Sequence, residues 1–135
     1  MTSQSSLVAF LKKVDNDFCP SLSSKVSLCD YADKILEKAE LIMEGSSDNI
    51  KGLVVLYCNN TEKRTAYIPL VGVTAESRGE GIATRMMKKA IKIAELRGMK
   101  RIQIHSNNPI AIKLYQNLGF CICEEGERKL LELYL

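Results

Sequence analysis

Two segments of this chain combine residue types and spacings that could do chemistry. The first runs Val71-Gly72-Val73-Thr74-Ala75-Glu76-Ser77-Arg78-Gly79-Glu80-Gly81-Ile82-Ala83-Thr84 and joins a strand pattern to a helix pattern. Gly79 and Gly81 let the backbone approach a ligand closely, and the small Ala83 leaves the first helical turn uncrowded. The free N–H groups of such a turn, with the helix dipole behind them, form an anion site suited to a pyrophosphate. Two dinucleotide-type readings fail here. Thr84 stands where GxGxxG needs its last glycine, and no GxxxxGK(S/T) occurs. The second segment, Asn107-Asn108-Pro109-Ile110-Ala111-Ile112-Lys113-Leu114-Tyr115-Gln116-Asn117-Leu118-Gly119-Phe120, follows a short strand that carries Gln103 and the only histidine, His105.

Metal chemistry finds no support in the pattern. The five cysteines at 19, 29, 58, 121 and 123 form no CxxC pair, and one histidine cannot complete a clustered zinc set. The thiols read as reduced and structural, with Cys121 and Cys123 on one strand face and expected in the core. Asn59-Asn60-Thr61 matches a glycosylation sequon, which reads as a chance match in a turn.

The 135 residues suit one domain, and 46% hydrophobic with 26% charged residues excludes a disordered chain. No window approaches the ~18 apolar residues of a membrane span, and the start lacks a secretory pattern, so a cytoplasmic protein without a membrane partner is expected. The net charge of +3 hides an asymmetry. Residues 1–50 hold five Lys against eight Asp or Glu, −3, whereas residues 78–101 hold eight Lys or Arg against two Glu, +6. Few aromatics and no long Lys/Arg run argue against nucleic acid. The acidic first half mildly favours a cationic acceptor, or is a solvated surface.

The elements that must position these segments follow from periodicity. Leu7, Phe10, Leu11, Val14 and Phe18 recur at helical spacing behind Ser3, Ser5 and Ser6, any of which can cap. Phe18-Cys19-Pro20-Ser21 breaks that helix, and Ser27 with Asp30 opens a second. Residues 39–43 fit helix or strand. Residues 45–49 form a turn, 50–58 a buried strand, 59–64 a hairpin loop and 65–73 its partner strand. Pro69 and Gly72 predict irregularity near the C-terminal end of that strand. A helix from Ile82 closes at Gly98, residues 101–105 form a strand, and Asn108-Pro109 caps a helix that Gly119 ends. Residues 120–123 and 129–135 form a last hairpin turning at Gly126.

Together the two segments resemble the GNAT-type N-acetyltransferases, which use acetyl-CoA. That family's pyrophosphate motif, Q/R-x-x-G-x-G/A, is met by Arg78, Gly81 and Ala83. Its N-x-x-A-x-x-x-Y-x-x-x-G-F signature is met by Asn108, Ala111, Tyr115, Gly119 and Phe120. The resemblance covers residues 50–135. It implies an α/β sandwich: one mixed, mostly antiparallel sheet of about six strands with helices on both faces. Residues 1–135 would be a single N-acetyltransferase domain, and residues near 39–44 become strand. The strand that usually precedes the family's first helix is missing, so the N-terminal part transfers least.

The resemblance also implies roles. Acetyl-CoA is the cosubstrate, with no metal. Backbone of Val71 and Val73 would hold the acetyl and pantetheine parts, with an N–H of Val71 or a neighbour on the oxyanion. Arg78, Gly79, Glu80, Gly81, Ile82, Ala83 and Thr84 would hold the pyrophosphate, and Asn108 would touch the cofactor. Arg85, Lys88 and Lys89 could meet a CoA phosphate or be solvated. Tyr115 would protonate the leaving thiolate. Where some relatives carry a Glu base, this chain has Gln103, which leaves His105, the weaker Glu76 and Tyr31, or water. The expected function is acetyl transfer to a primary amine of a small molecule. A protein or peptide amine and a non-catalytic acyl-CoA-binding module are the alternatives, and a homodimer is left open.

Overall fold

The computed structural model describes residues 3–18 and 20–135, so Cys19 lies outside the described residues. Helix α1, Gln4–Val14, is capped by Ser3, whose Oγ accepts the Ser6 N–H at 3.1 Å. Helix α2, Leu28–Lys38, is capped in the same way by Ser27. Then follow β1 (Glu40–Gly45), β2 (Ile50–Asn60), β3 (Thr65–Val73), α3 (Ile82–Leu96), β4 (Arg101–Ser106), α4 (Pro109–Asn117), β5 (Cys121–Glu124) and β6 (Lys129–Tyr134). The ambiguous residues after α2 are strand, as the resemblance implied.

The six described strands form one sheet in the order β1-β2-β3-β4-β6-β5. Every neighbouring pair is antiparallel except β3–β4, which is parallel. Strand alternation divides the core. Leu53, Val55 and Leu70 face α1 and α2, packing with Leu7, Phe10, Leu11, Val14, Ala32 and Ile35. Val54, Leu56, Ala66, Ile68, Ile102, Ile104 and Leu131 face α3 and α4, with Met86, Met87, Ile112 and Tyr115. Each fully buried aliphatic side chain contributes about 1.5–3 kcal/mol to this sandwich.

The irregularity of β3 lies in its middle, a correction to the expected C-terminal position. Between the pairs Val55–Leu70 and Tyr57–Tyr67, β2 advances two residues while β3 advances three. The extra residue at Ile68–Pro69 resets the alternation, so Ile68 and Leu70 both enter a core but on opposite faces. Residues 70–73 stay in register with β2. Toward β4, pairing ends at Ile68–Ile104, although both strands continue. Pro69, with no N–H for the ladder, sits at this parting.

The expectation that Cys121 and Cys123 pack in the core is overturned: both are exposed. On an edge strand lying outside the helix layer they occupy the open face, and it is Ile122 that packs toward the core. The four described cysteines are free thiols.

Candidate active site

The parting of β3 and β4 opens a cavity of about 430 Å³. One wall is Ile68–Val73, the opposite wall runs from Ile104 to Asn108, and α4 contributes Ala111, Leu114 and Tyr115. Residues 70–73 bond to β2 on one side only, so alternate residues turn their N–H and C=O into the gap. Val71 and Val73, the expected backbone contacts, both line it.

The cavity lining includes Arg78 in the loop before α3 and Ala83 in the first turn of that helix. Buried Thr74 fixes that loop: its N–H donates to the Lys51 carbonyl at 2.9 Å and its hydroxyl bonds Ser77 Oγ at 3.0 Å. Gly79 and Gly81 have φ of 85° and 76°, left-handed values that favour glycine. Gly81 is the N-cap of α3, and no side chain caps this end. The first N–H groups of α3 are therefore presented to whatever lies in front of them. Glu80 is exposed, and its carbonyl accepts Arg85 Nη1 at 2.7 Å. Ile82 turns inward to the core, and Thr84 lies in a groove between α3 and α4 with Lys88 and Lys113.

A residue that sequence reading passed over seats this helix. A Cβ on Gly52 of β2 would lie 2.7 Å from Ile82 Cγ2 and 2.8 Å from Met86 Cε. Only a residue without a side chain lets the first turn of α3 sit that close to the sheet. A glycine inside an otherwise β-branched run was the available signal.

Asn108 turns out to be a helix cap: its Oδ1 accepts the Ile110 N–H at 2.9 Å and the Ala111 N–H at 3.4 Å. It also lines the cavity. Tyr115 is buried, packs against Phe120 with ring centroids 6.0 Å apart, and lines the cavity. Burial pushes its hydroxyl pKa well above the ordinary phenol value, so it stays protonated across the working range.

Of the base candidates, only His105 lines the cavity. Its Nδ1 lies 2.8 Å from the hydroxyl of Tyr67 on β3, a partner that sequence reading missed because strand pairing brings it there. Gln103 Nε2 donates to Glu132 at 3.0 Å on the open face of the sheet. Glu76 is exposed in the turn after β3. Tyr31 lies away from the cavity, with burial pushing its pKa up to about 12.

The cavity is also bounded by Asp17, Phe18, Pro20, Leu22 and Lys25 from the α1–α2 connection and by Arg128 from the β5–β6 turn. Here the charge asymmetry of the sequence resolves. Arg78 pairs with Asp17, Arg85 holds Glu44 through two bonds of 2.9 and 2.8 Å, and Arg97 pairs with Glu40. Three arginines of the basic segment thus pair with three of the eight carboxylates of the acidic half. This pairing also occupies Arg85, one of the cations considered for a CoA phosphate.

The model of the acetyltransferase (GNAT) family matches residues 11–120. The chain belongs to that family. It is 34% identical over 82 residues to the chloroplastic GCN5-related N-acetyltransferase 6 of Arabidopsis thaliana, covering 57% of this chain and 28% of that one. It is 29% identical over 80 residues to N-alpha-acetyltransferase 30 of Schizosaccharomyces pombe, covering 55% and 53%. The chain thus spans about half or less of these curated relatives. A Thermoplasma acidophilum PaiA N-acetyltransferase solved in complex with coenzyme A shares the fold, with TM-score 0.77 at 12% identity over 98% of this chain and 95% of that one. The GNAT fold expected from sequence, one six-stranded mixed sheet with helices on both faces, is the fold observed. Among the described residues no helix is long and apolar enough to cross a membrane.

Proposed function

We propose that residues 1–135 act as a single N-acetyltransferase unit that moves the acetyl group of acetyl-CoA to a primary amine by direct attack. One observation carries the reading: a single cavity is lined by Ala83 in the uncapped first turn of α3, by the α1–α2 connection, and by both His105 and Tyr115. Residues 79–84 hold the pyrophosphate, helped by the dipole of α3. Val71 and Val73 align the acyl arm as an added strand would lie, and an N–H in 70–73 meets the oxyanion. Arg78 and Asn108 flank that path, and Lys88 and Lys113 border the groove beyond it.

In the reaction the amine nitrogen forms a bond to the acyl carbon and the carbon–sulfur bond breaks. The amine gives up one proton and the departing thiolate takes one. His105 suits the first transfer. With Nδ1–H donating to the Tyr67 oxygen, Nε2 keeps its lone pair. Tyr115 suits the second. A phenol above ~10 donates uphill to a thiol near ~8.5, so donation must accompany bond cleavage rather than precede it.

A small-molecule amine is the first reading of the acceptor. A peptide amine is the second, favoured by the likeness to a relative named N-alpha-acetyltransferase. Thiol release from acetyl-CoA, measured against amines and peptides, tests the activity. Thermal denaturation with CoA tests the cofactor. At ~100 times its Kd, CoA should add about 2.7 kcal/mol, with ATP and NADH giving markedly less. No shift at millimolar CoA overturns the reading.

A further inference from the structure

We propose that the acceptor is a primary amine that carries a carboxylate, held by Arg128 and Lys25 at the mouth of the cavity. This rests on the transferase reading and specifies its second substrate. The charged side chains lining the cavity are Asp17, Lys25, Arg78 and Arg128. Asp17 and Arg78 pair with each other. No ion pair of the described residues involves Lys25 or Arg128, and both are exposed. The cavity is therefore lined by two cations with no carboxylate of the protein on either.

Arg128 is also fixed in place. Its Nη2 donates to the His105 carbonyl at 3.2 Å, which commits one donor and leaves the rest of the planar fork available. That bond sets the guanidinium beside the residue proposed to take the amine proton. Its charge reaches the Tyr67 hydroxyl, where it opposes the upward push of burial. A carboxylate matches such a fork in shape and charge, and a second cation lining the same cavity adds attraction without geometry. The same two charges act against a protonated amine. An ammonium beside Arg128 and Lys25 is disfavoured relative to the neutral amine, which is the form that attacks. One pair of cations thus binds the carboxylate and favours the reactive amine, whereas a diamine would meet repulsion at its far end.

Thiol release by the full chain at saturating acetyl-CoA tests this. The probes are 4-aminobutyrate, its amide and 1,4-diaminobutane, with glutamate added. Tetrapeptides beginning with Asp, Asn or Lys separate a peptide source of the carboxylate from a free amino acid. At least one carboxylate-bearing amine should exceed its amide in kcat/KM by about 10–100-fold, the range of a charged hydrogen-bonded pair. Arg128→Gln should bring that ratio to within about threefold, Arg128→Lys should restore part of it, and Lys25→Gln should lower it less. Equal or better use of the amide, Asn or cationic probes, or a preference that survives Arg128→Gln, overturns the proposal while leaving the transferase reading standing. No release with any probe overturns both.

Discussion

The Tyr67 hydroxyl and His105 Nδ1 stand 2.8 Å apart across the last register pair of β3 and β4, Ile68–Ile104, with Tyr67 one residue before it on β3 and His105 one residue after it on β4. The bond ties the two strands together where their backbones part. It also orients an imidazole at the wall of the cavity.

His105→Ala should cut turnover by about 10²-fold or more, the range of a positioned base. CoA affinity by calorimetry should stay within about twofold. Tyr67→Phe keeps the ring and should cost about 3–10-fold. A His105→Ala enzyme with the parental turnover would assign proton removal to water.

Tyr115→Phe removes one oxygen from a buried ring and should leave folding and CoA binding intact. The rate of thiolate departure should fall by about 10²–10⁴-fold, with kcat affected more than KM. Single-turnover measurement reads this even where product release limits steady-state turnover. A wild-type single-turnover rate would make Tyr115 a packing residue.

Two glycine substitutions should separate binding from folding. At Gly81 an added Cβ meets only Arg85 Nη1, at 3.4 Å, so Gly81→Val is costly mainly through its φ of 76°. That strain is about 1–2 kcal/mol, and the branched side chain stands in front of the N–H groups of α3. CoA affinity should drop far more than stability. At Gly52, Gly52→Ala forces Ile82 and Met86 away from the sheet and should cost about 1–3 kcal/mol by urea denaturation. Unchanged CoA affinity in folded Gly81→Val would remove the loop from the binding site.

Stability should fall at both ends of the pH scale. Bonds from Arg85 hold Glu44 below the usual carboxylate range, bonds from Ser23 do so for Asp15, and bonds from Cys123 and Gln103 for Glu132. A depressed native pKa adds stability above the ordinary value of ~4, lost as pH falls through the native one. Burial raises Tyr31 to about 12 and Tyr115 further. That contribution is present below ~10, where unfolded tyrosines begin to ionise, and is lost as pH rises through the native values. Urea midpoints from pH 3 to 11 should trace both limbs, and Glu132→Gln should flatten the acid one.

Local signals carried the fold well. Ser3, Ser27 and Asn108 cap the helices their positions announce, and 65–73 is the strand expected as the hairpin partner of 50–58. The loop at Gly79 and Gly81 was readable because positive φ leaves a compositional mark. What stayed hidden was relational. Tyr67 gains its meaning from a parallel pairing that places it beside His105 across 38 positions of chain. Arg128 and Asp17 reach the cavity from two different connections. Charge counts suggested an acidic face, yet the carboxylates of Asp17, Glu40 and Glu44 are matched to specific arginines far along the chain. Cys121 and Cys123 shared a strand face, as alternation requires, but alternation does not say which face a helix covers.

The parting of β3 from β4 has a consequence for how the protein behaves among other proteins. Unpaired strand margins usually recruit further strands and so invite aggregation. Here two margins face one another inside the sheet, each still paired on its outer side with β2 or β6. The open length on β3 is residues 69–73, one of them a proline, no longer than the ~5–6 residues of an ordinary strand. It is closed at one end by the remaining β3–β4 pairs. Backbone groups that would be hazardous on an outer edge are thus exposed to a narrow extended ligand and shielded from another chain.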